Sequence, residues 1–217
     1  MVKSIIQGSA RSLWRLGTVG FKKGPHLTRY VMYHSLREHA RDINLGDRIL
    51  SISHSKHLCA LFGGSQEQIV EANYPEYSFC KLALPSDSYT AIVSDQVLEH
   101  ISCPPQQAID EAFRVLVPGG IAVHTTCFQV PYHGSSDYSN VNDGDYWRFT
   151  PSGLRLLHRK YARVLVADGW GNPLMPLFGA LGLNRMLVPE SSWHPFNSLA
   201  RMNRRSYAFM VWVIAQK

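Results

Sequence analysis

Asp95, Glu99 and His100 lie close together at the end of an apolar run. A carboxylate at a strand end can orient or deprotonate an acceptor hydroxyl or amine, and a histidine near its neutral-range pKa can act as a base. The plainer roles are a capping Asp95 and a Glu99 that pairs within the domain. His124 alternates with apolar neighbours and reads as a core histidine. His133, in Pro131-Tyr132-His133-Gly134, falls in a loop and is the better base. Asp145, Tyr146, Trp147 and Arg148 follow. An aromatic pair beside an arginine suits a sugar face or an anionic group, and Asp143 and Asp145 can accept from hydroxyls. Trp147 and Phe149 can instead pack that loop onto the protein.

Other chemistries find little support. His54, His57 and Cys59 have ligand-type side chains but no matching second half of a zinc motif, so no metal is expected. Ser51-Ile52-Ser53 lacks the glycines of a nucleophile elbow, and no G-K-[ST] marks a phosphate loop. Cys59, Cys80, Cys103 and Cys127 show no C-x-x-C spacing and read as reduced, buried thiols.

The elements that must position these residues alternate. Arg48–Ile52, Gln68–Glu71, Thr90–Ser94 and Ile121–Thr125 read as strands, with Tyr77–Leu82 a weaker one. Residues 26–42, 55–63 and 103–117 read as helices; Pro104 and Pro105 open the last and Gly119-Gly120 stops it. Val164–Val166 and Tyr207–Ala215 could close the sheet as an antiparallel pair. Such alternation predicts an α/β, doubly wound parallel sheet with ligands beyond the strand C-termini. That gathers Ser51–His57, Glu71, Ser94–Gln96 and Thr125–Phe128 around one cleft.

The runs YTAIVSDQVLEHI (89–101), FRVLVPGG (113–120) and IAVHTTCF (121–128) resemble class I S-adenosylmethionine-dependent methyltransferases of the type 11 kind. Ala83-Leu84-Pro85 fits the element before the fourth strand. DYWRFTPSGLRLL (145–157) resembles a segment of small methyltransferases of bacterial glycan and cell-surface pathways. The resemblance implies a Rossmann-like seven-stranded sheet, mostly parallel with an antiparallel last strand. It implies S-adenosylmethionine as cofactor, with Glu71 on the ribose hydroxyls. Ser51, Ser53, Ser55, Leu84, Ser94 and Gln96 fall at further cofactor positions. Asp95, His133 and His100 become catalytic candidates, and Asp145, Tyr146, Trp147 and Arg148 acceptor-binding ones. The first motif departs from the family. The expected acid is Ser51, and the loop glycines are Ser53, Ser55 and His57. A Cβ at such positions costs about 1 kcal/mol each and takes ligand space. The acid that meets the adenine amino group becomes Cys80. Either the loop binds through backbone N–H groups and serine hydroxyls, or binding is lost and the protein works as an inactive, methyltransferase-like binding or regulatory partner.

Composition frames these readings. The 217 residues carry a net charge of +6 with 45% hydrophobic content, which excludes whole-chain disorder. Residues 1–45 hold eight basic and two acidic residues, 46–147 four and twelve, and 148–217 ten and two. An acidic middle between basic flanks argues against uniform nucleic-acid binding, and no zinc finger or RNA-recognition motif is present. No apolar run spans a bilayer and no secretory signal is visible, so a cytoplasmic location is expected. The expected organisation is a basic helical arm at 1–44, touching its own domain or an anionic membrane surface. A methyltransferase-like domain follows at 45–217, with an acceptor-side insertion near 129–205. The expected reaction is methyl transfer, O-methylation foremost, to a small-molecule or glycan-type acceptor that is anionic.

Overall fold

The run Ile49–Ile52 (β2) is buried at every position because it lies inside a sheet covered on both faces. The computed structural model describes residues 2–135 and 144–217; Asp143 lies outside the described residues. In chain order the elements are α1 (Val2–Gly17), β1 (Lys23–His26), α2 (Leu27–Ala40), β2, α3 (Lys56–Leu61), β3 (Ile69–Ala72), β4 (Tyr89–Asp95) and α4 (Pro105–Val115). There follow β5 (Leu116–Cys127), α5 (Pro151–Leu157), β6 (Arg163–Trp170), α6 (Met175–Ala180), β7 (Leu187–Pro189), α7 (Pro195–Arg201) and β8 (Met210–Gln216).

The main sheet runs β3-β2-β4-β5-β8-β6, parallel from β3 to β5, with β8 antiparallel to both of its neighbours. The closing antiparallel pair is as expected. The expected seventh strand is not formed: among the described residues the main sheet has six, and Tyr77–Leu82 is a turn closed by a Ser78–Lys81 bridge. Cys80 in that turn is disulfide-bonded to Cys103, so two of the four cysteines depart from the expected reduced thiols. Cys59 and Cys127 are buried and unpaired.

Strand alternation divides the core. Ile49, Ala91 and Val93 face α2 and α3, while Leu50, Ile92 and Ala122 face α4 and α5. Helix α4 buries Ala108, Ile109, Ala112 and Val115 at helical spacing. It stops at Val115 rather than at the glycines, which lie inside β5. There the backbone folds so closely that a Cβ on Gly120 would stand 2.9 Å from the Val117 carbonyl oxygen.

The arm and the insertion are knit together. β1 pairs antiparallel with β7. Trp14 of α1 is buried, stacked on Phe196 at 4.1 Å and edge-on to Phe178. The opposite face of α1 leaves Ile5, Ile6, Leu13 and Leu16 exposed. No helix among the described residues is long and apolar enough to cross a membrane.

Candidate active site

The loop after β2 follows a glycine-type path without glycine. Ser53 and His54 both take positive φ, 47° and 65°. Backbone hydrogen bonds hold them there: Ser53 N–H donates to Ala72 O, and His54 N–H to Asn73 Oδ1 at 2.9 Å. Ser55 turns inward, is 1% exposed, and accepts from the Asp95 N–H at 2.8 Å. Its side chain joins the loop to the end of β4 instead of filling ligand space. Ser51 is fully buried in the sheet, level with Glu71 and Val93. Glu71 holds Lys56 at 2.7 Å, and this contact draws its carboxyl below the usual range, against some burial.

Asp95 ends β4 as the acceptor of a buried network. Oδ1 accepts from the Thr125 hydroxyl at 2.7 Å and Oδ2 from the Tyr33 hydroxyl at 2.6 Å, with Arg29 at 3.3 Å. Burial, then the Asp95 charge, push the Tyr33 phenol up. Gln96 next takes φ +59° and reaches Thr125 Oγ1. Ser94 is buried and bonded to His124 Nδ1 at 2.7 Å; His124 is a core residue, as its pattern suggests.

Two cavities open beside this strand end. The smaller, about 210 Å³, is lined by Ser53, Tyr74, Tyr77, Phe79, Gln96 and His100 among others. The larger, about 600 Å³, is lined by Arg29, Gln96, Glu99, His100, Cys127, His133 and Arg185 among others. Gln96 and His100 border both. Asp95 lines neither, and acts on the larger cavity through Arg29.

Glu99 lies in the wall of the larger cavity with 0% exposure. Oε2 accepts from Thr126 at 2.8 Å, and Oε1 has no partner among the described residues. Burial pushes this carboxyl up. Burial also raises the Cys127 thiol and lowers the His133 imidazole. His133 packs edge-on against His100, centroids 5.0 Å apart, and His100 Nδ1 donates to the Gly144 carbonyl at 2.7 Å.

The Asp145–Arg148 segment works mainly as scaffolding. Asp145 takes both Arg148 terminal nitrogens at 2.5 Å each and accepts from the His133 N–H. Burial opposes its charge, but these donors hold its carboxyl below the usual value. Arg148 also donates to the Val130 and Trp147 carbonyls, and Trp147 Nε1 to the Ile101 carbonyl. Tyr146 is 41% exposed. Thr150 caps α5 through the Gly153 N–H, and Pro151 takes the first helical turn. Leu84 is drawn elsewhere: its carbonyl, with that of Leu82, binds the Arg114 guanidinium.

The structure therefore brings Ser53, Gln96, His100 and His133 to the cavities, and Ser55 and Asp95 behind them. The sequence reading missed Arg29, Tyr33, Arg185 and Cys127, and discounted Glu99. Arg29 reads as an outward charge on the 26–42 helix, and nothing in the spacing marks Tyr33. The usable signal was Cys127, at the end of a strand already placed at the cleft.

S-adenosylmethionine fits this site in part. The smaller cavity offers aromatic walls and strand-end backbone suited to a nucleoside, and the loop serines leave it open. Glu71 lines neither cavity, and its Oε2 is engaged by Lys56, so ribose hydroxyls would compete with that contact.

Residues 36–124 match the family model described as a methyltransferase domain. No curated protein matches the sequence. Solved structures share the fold at low identity. A phosphoethanolamine N-methyltransferase 2 from Haemonchus contortus, in complex with S-adenosyl-L-methionine, has TM-score 0.52 and 14% identity, covering 86% of this chain and 52% of its own. A putative methyltransferase complex with the Trm112 activator from Haloferax volcanii has TM-score 0.51 and 14% identity, over 87% and 90%. An S-adenosylmethionine-dependent methyltransferase from Mesorhizobium loti has TM-score 0.50 and 13% identity, over 83% and 96%.

Proposed function

From the match of residues 36–124 to a methyltransferase-domain model, we propose methyl transfer from S-adenosylmethionine to a small anionic acceptor. The observation that carries this is the pair of cavities meeting at Gln96 and His100. One suits a nucleoside; the other, next to it, suits an acceptor. The bound cofactor would supply an electrophilic methyl group. Around it, Ser53, Tyr74, Tyr77 and Phe79 would hold the nucleoside, with Glu71 on the ribose. Asp95 fixes Arg29, and Arg29 with Arg185 lines the acceptor cavity as the anion-binding pair. His100 and His133 line the larger cavity and offer a base to an acceptor hydroxyl, which favours O-methylation. Alignment of the two reactants would supply much of the rate.

A second reading is favoured by the Lys56–Glu71 ion pair. A diol acceptor already partnered in this way suits an inactive binding protein. Calorimetric titration with S-adenosylmethionine and its demethylated product separates the two. The enzyme reading expects saturable binding, tightened up to about fivefold by Lys56→Met, since a half-exposed ion pair is worth about 1 kcal/mol or less. Absence of heat and of thermal stabilisation, in wild type and variant alike, would establish the second reading. Mass spectrometry of phosphorylated or carboxylated sugar acceptors, looking for the gain of one methyl group, then tests the acceptor class.

The exposed apolar face of α1 adds a location. Ile5, Ile6, Leu13 and Leu16 lie beside Arg15, Lys22 and Lys23, a composition that suits the surface of an anionic membrane.

A further inference from the structure

In the wall of the larger cavity, three side chains of different chemistry converge. Glu99, Cys127 and His133 each offer one ligand atom, and the three atoms lie within 4.8 Å of one another. All three line the cavity. Glu99 and Cys127 are 0% and 1% exposed, and Glu99 Oε1 is buried with no hydrogen-bond partner among the described residues. A buried carboxylate oxygen with nothing to bind is costly, and a bound cation is one way to satisfy it.

We propose that Glu99, Cys127 and His133 form a binding site for a divalent transition metal, zinc foremost, with its open side toward the acceptor cavity. A thiolate, an imidazole and a carboxylate are a borderline-soft donor set, which selects zinc-type ions over magnesium or calcium. Three protein ligands and an open fourth position match the catalytic, not the structural, form of zinc site. The surroundings fit as well. Asp145 Oδ2 lies 3.1 Å from His133 Nδ1, in the place of the carboxylate that steadies a metal-bound histidine.

A competing set, His100, His133 and Asp145, also comes within 4.8 Å. It is the poorer one. Both Asp145 oxygens are engaged by Arg148, and His100 Nδ1 is engaged by the Gly144 carbonyl. The ion would polarise an acceptor oxygen or lower the pKa of one bound to it, and with His133 ligating it the role of base would fall to His100. That role rests on the methyl-transfer reading; metal binding itself does not.

The test uses the full chain, stripped with a chelator and titrated with Co²⁺, then Zn²⁺. The expected result is one Co²⁺ per chain with a thiolate-to-cobalt absorption band, and displacement by Zn²⁺. Cys127→Ser should abolish the band, while Cys59→Ser keeps it. Glu99→Gln and His133→Ala should each weaken Zn²⁺ at least about tenfold against a competing chelator. Circular dichroism shows which variants fold; should Cys127→Ser not fold, His133→Ala, a half-buried loop position, decides the matter. Lack of stoichiometric Co²⁺ binding, or a band that survives Cys127→Ser, would overturn the proposal. S-adenosylmethionine titration of the same stripped protein keeps the two readings apart. Cofactor binding without metal binding sinks only the metal site, and the reverse sinks only methyl transfer.

Discussion

Acid should loosen this protein through a histidine far from any ligand. His158 is fully buried behind the sheet, its ring 5.4 Å from that of His124, and burial lowers its pKa from 6.5 to about 4. The Leu154 carbonyl accepts from its Nδ1 and partly opposes the shift. The folded state thus refuses a proton that the unfolded chain accepts. The stabilisation is fully present above about pH 6.5 and is lost as pH falls toward 4. At 1.36 kcal/mol per unit, the full loss is about 3 kcal/mol, of which about 2 kcal/mol appears between pH 7 and pH 5. His124, also buried and lowered, adds to it. The assay is urea unfolding of wild type and His158→Gln at both pH values. The variant's own stability does not matter; the difference in pH dependence does. Wild type should lose about 2 kcal/mol more than the variant over that interval. Equal losses would refute the reasoning, because they would mean that His158 protonates without unfolding.

Three further outcomes can be checked directly. Asp95→Asn should lower unfolding free energy by about 1–3 kcal/mol, measured by denaturant titration, because it weakens three contacts at once. Cys103→Ala should cost about 3 kcal/mol by the loop-entropy argument for a separation of 23 residues, and thiol counting of the unfolded, unreduced wild type should find two thiols. Leu13→Glu with Leu16→Glu should abolish co-sedimentation with phosphatidylserine vesicles while shifting stability by no more than about 0.5 kcal/mol, since both side chains are exposed.

The sheet was legible wherever burial on both faces leaves unbroken apolar runs, as at β2, β4, β5 and β8. Tyr77–Leu82 misled because Tyr77 and Phe79, two apart, imitate a strand's alternation, while Phe79 and Leu82 are buried from a turn at a spacing of three. The short elements α6, β7 and α7 gave no periodic signal; their order comes from packing against α1 and β1. At the site, the strand-end residues were readable and their partners were not. Tyr33 reaches Asp95 across 62 residues, and spacing carries no trace of such a contact. Arg148 was read as a ligand because an arginine beside aromatics looks the same whether it meets a sugar or its own backbone.

The β1–β7 ribbon ties the larger cavity to both flanks of the segment that matches the family model. The segment matching the family model begins at residue 36 and ends at 124, but much of the wall of the larger cavity comes from outside it. His26, Thr28 and Arg29 precede it; Asn184, Arg185, Phe209 and Met210 follow it. The ribbon clasps the earlier flank to the later one, with Leu27 N–H donating to the Met186 carbonyl at 2.9 Å. The shape of the larger cavity is thereby a joint property of two distant stretches of chain. A swap of either stretch alone would mismatch the clasp and with it the cavity wall.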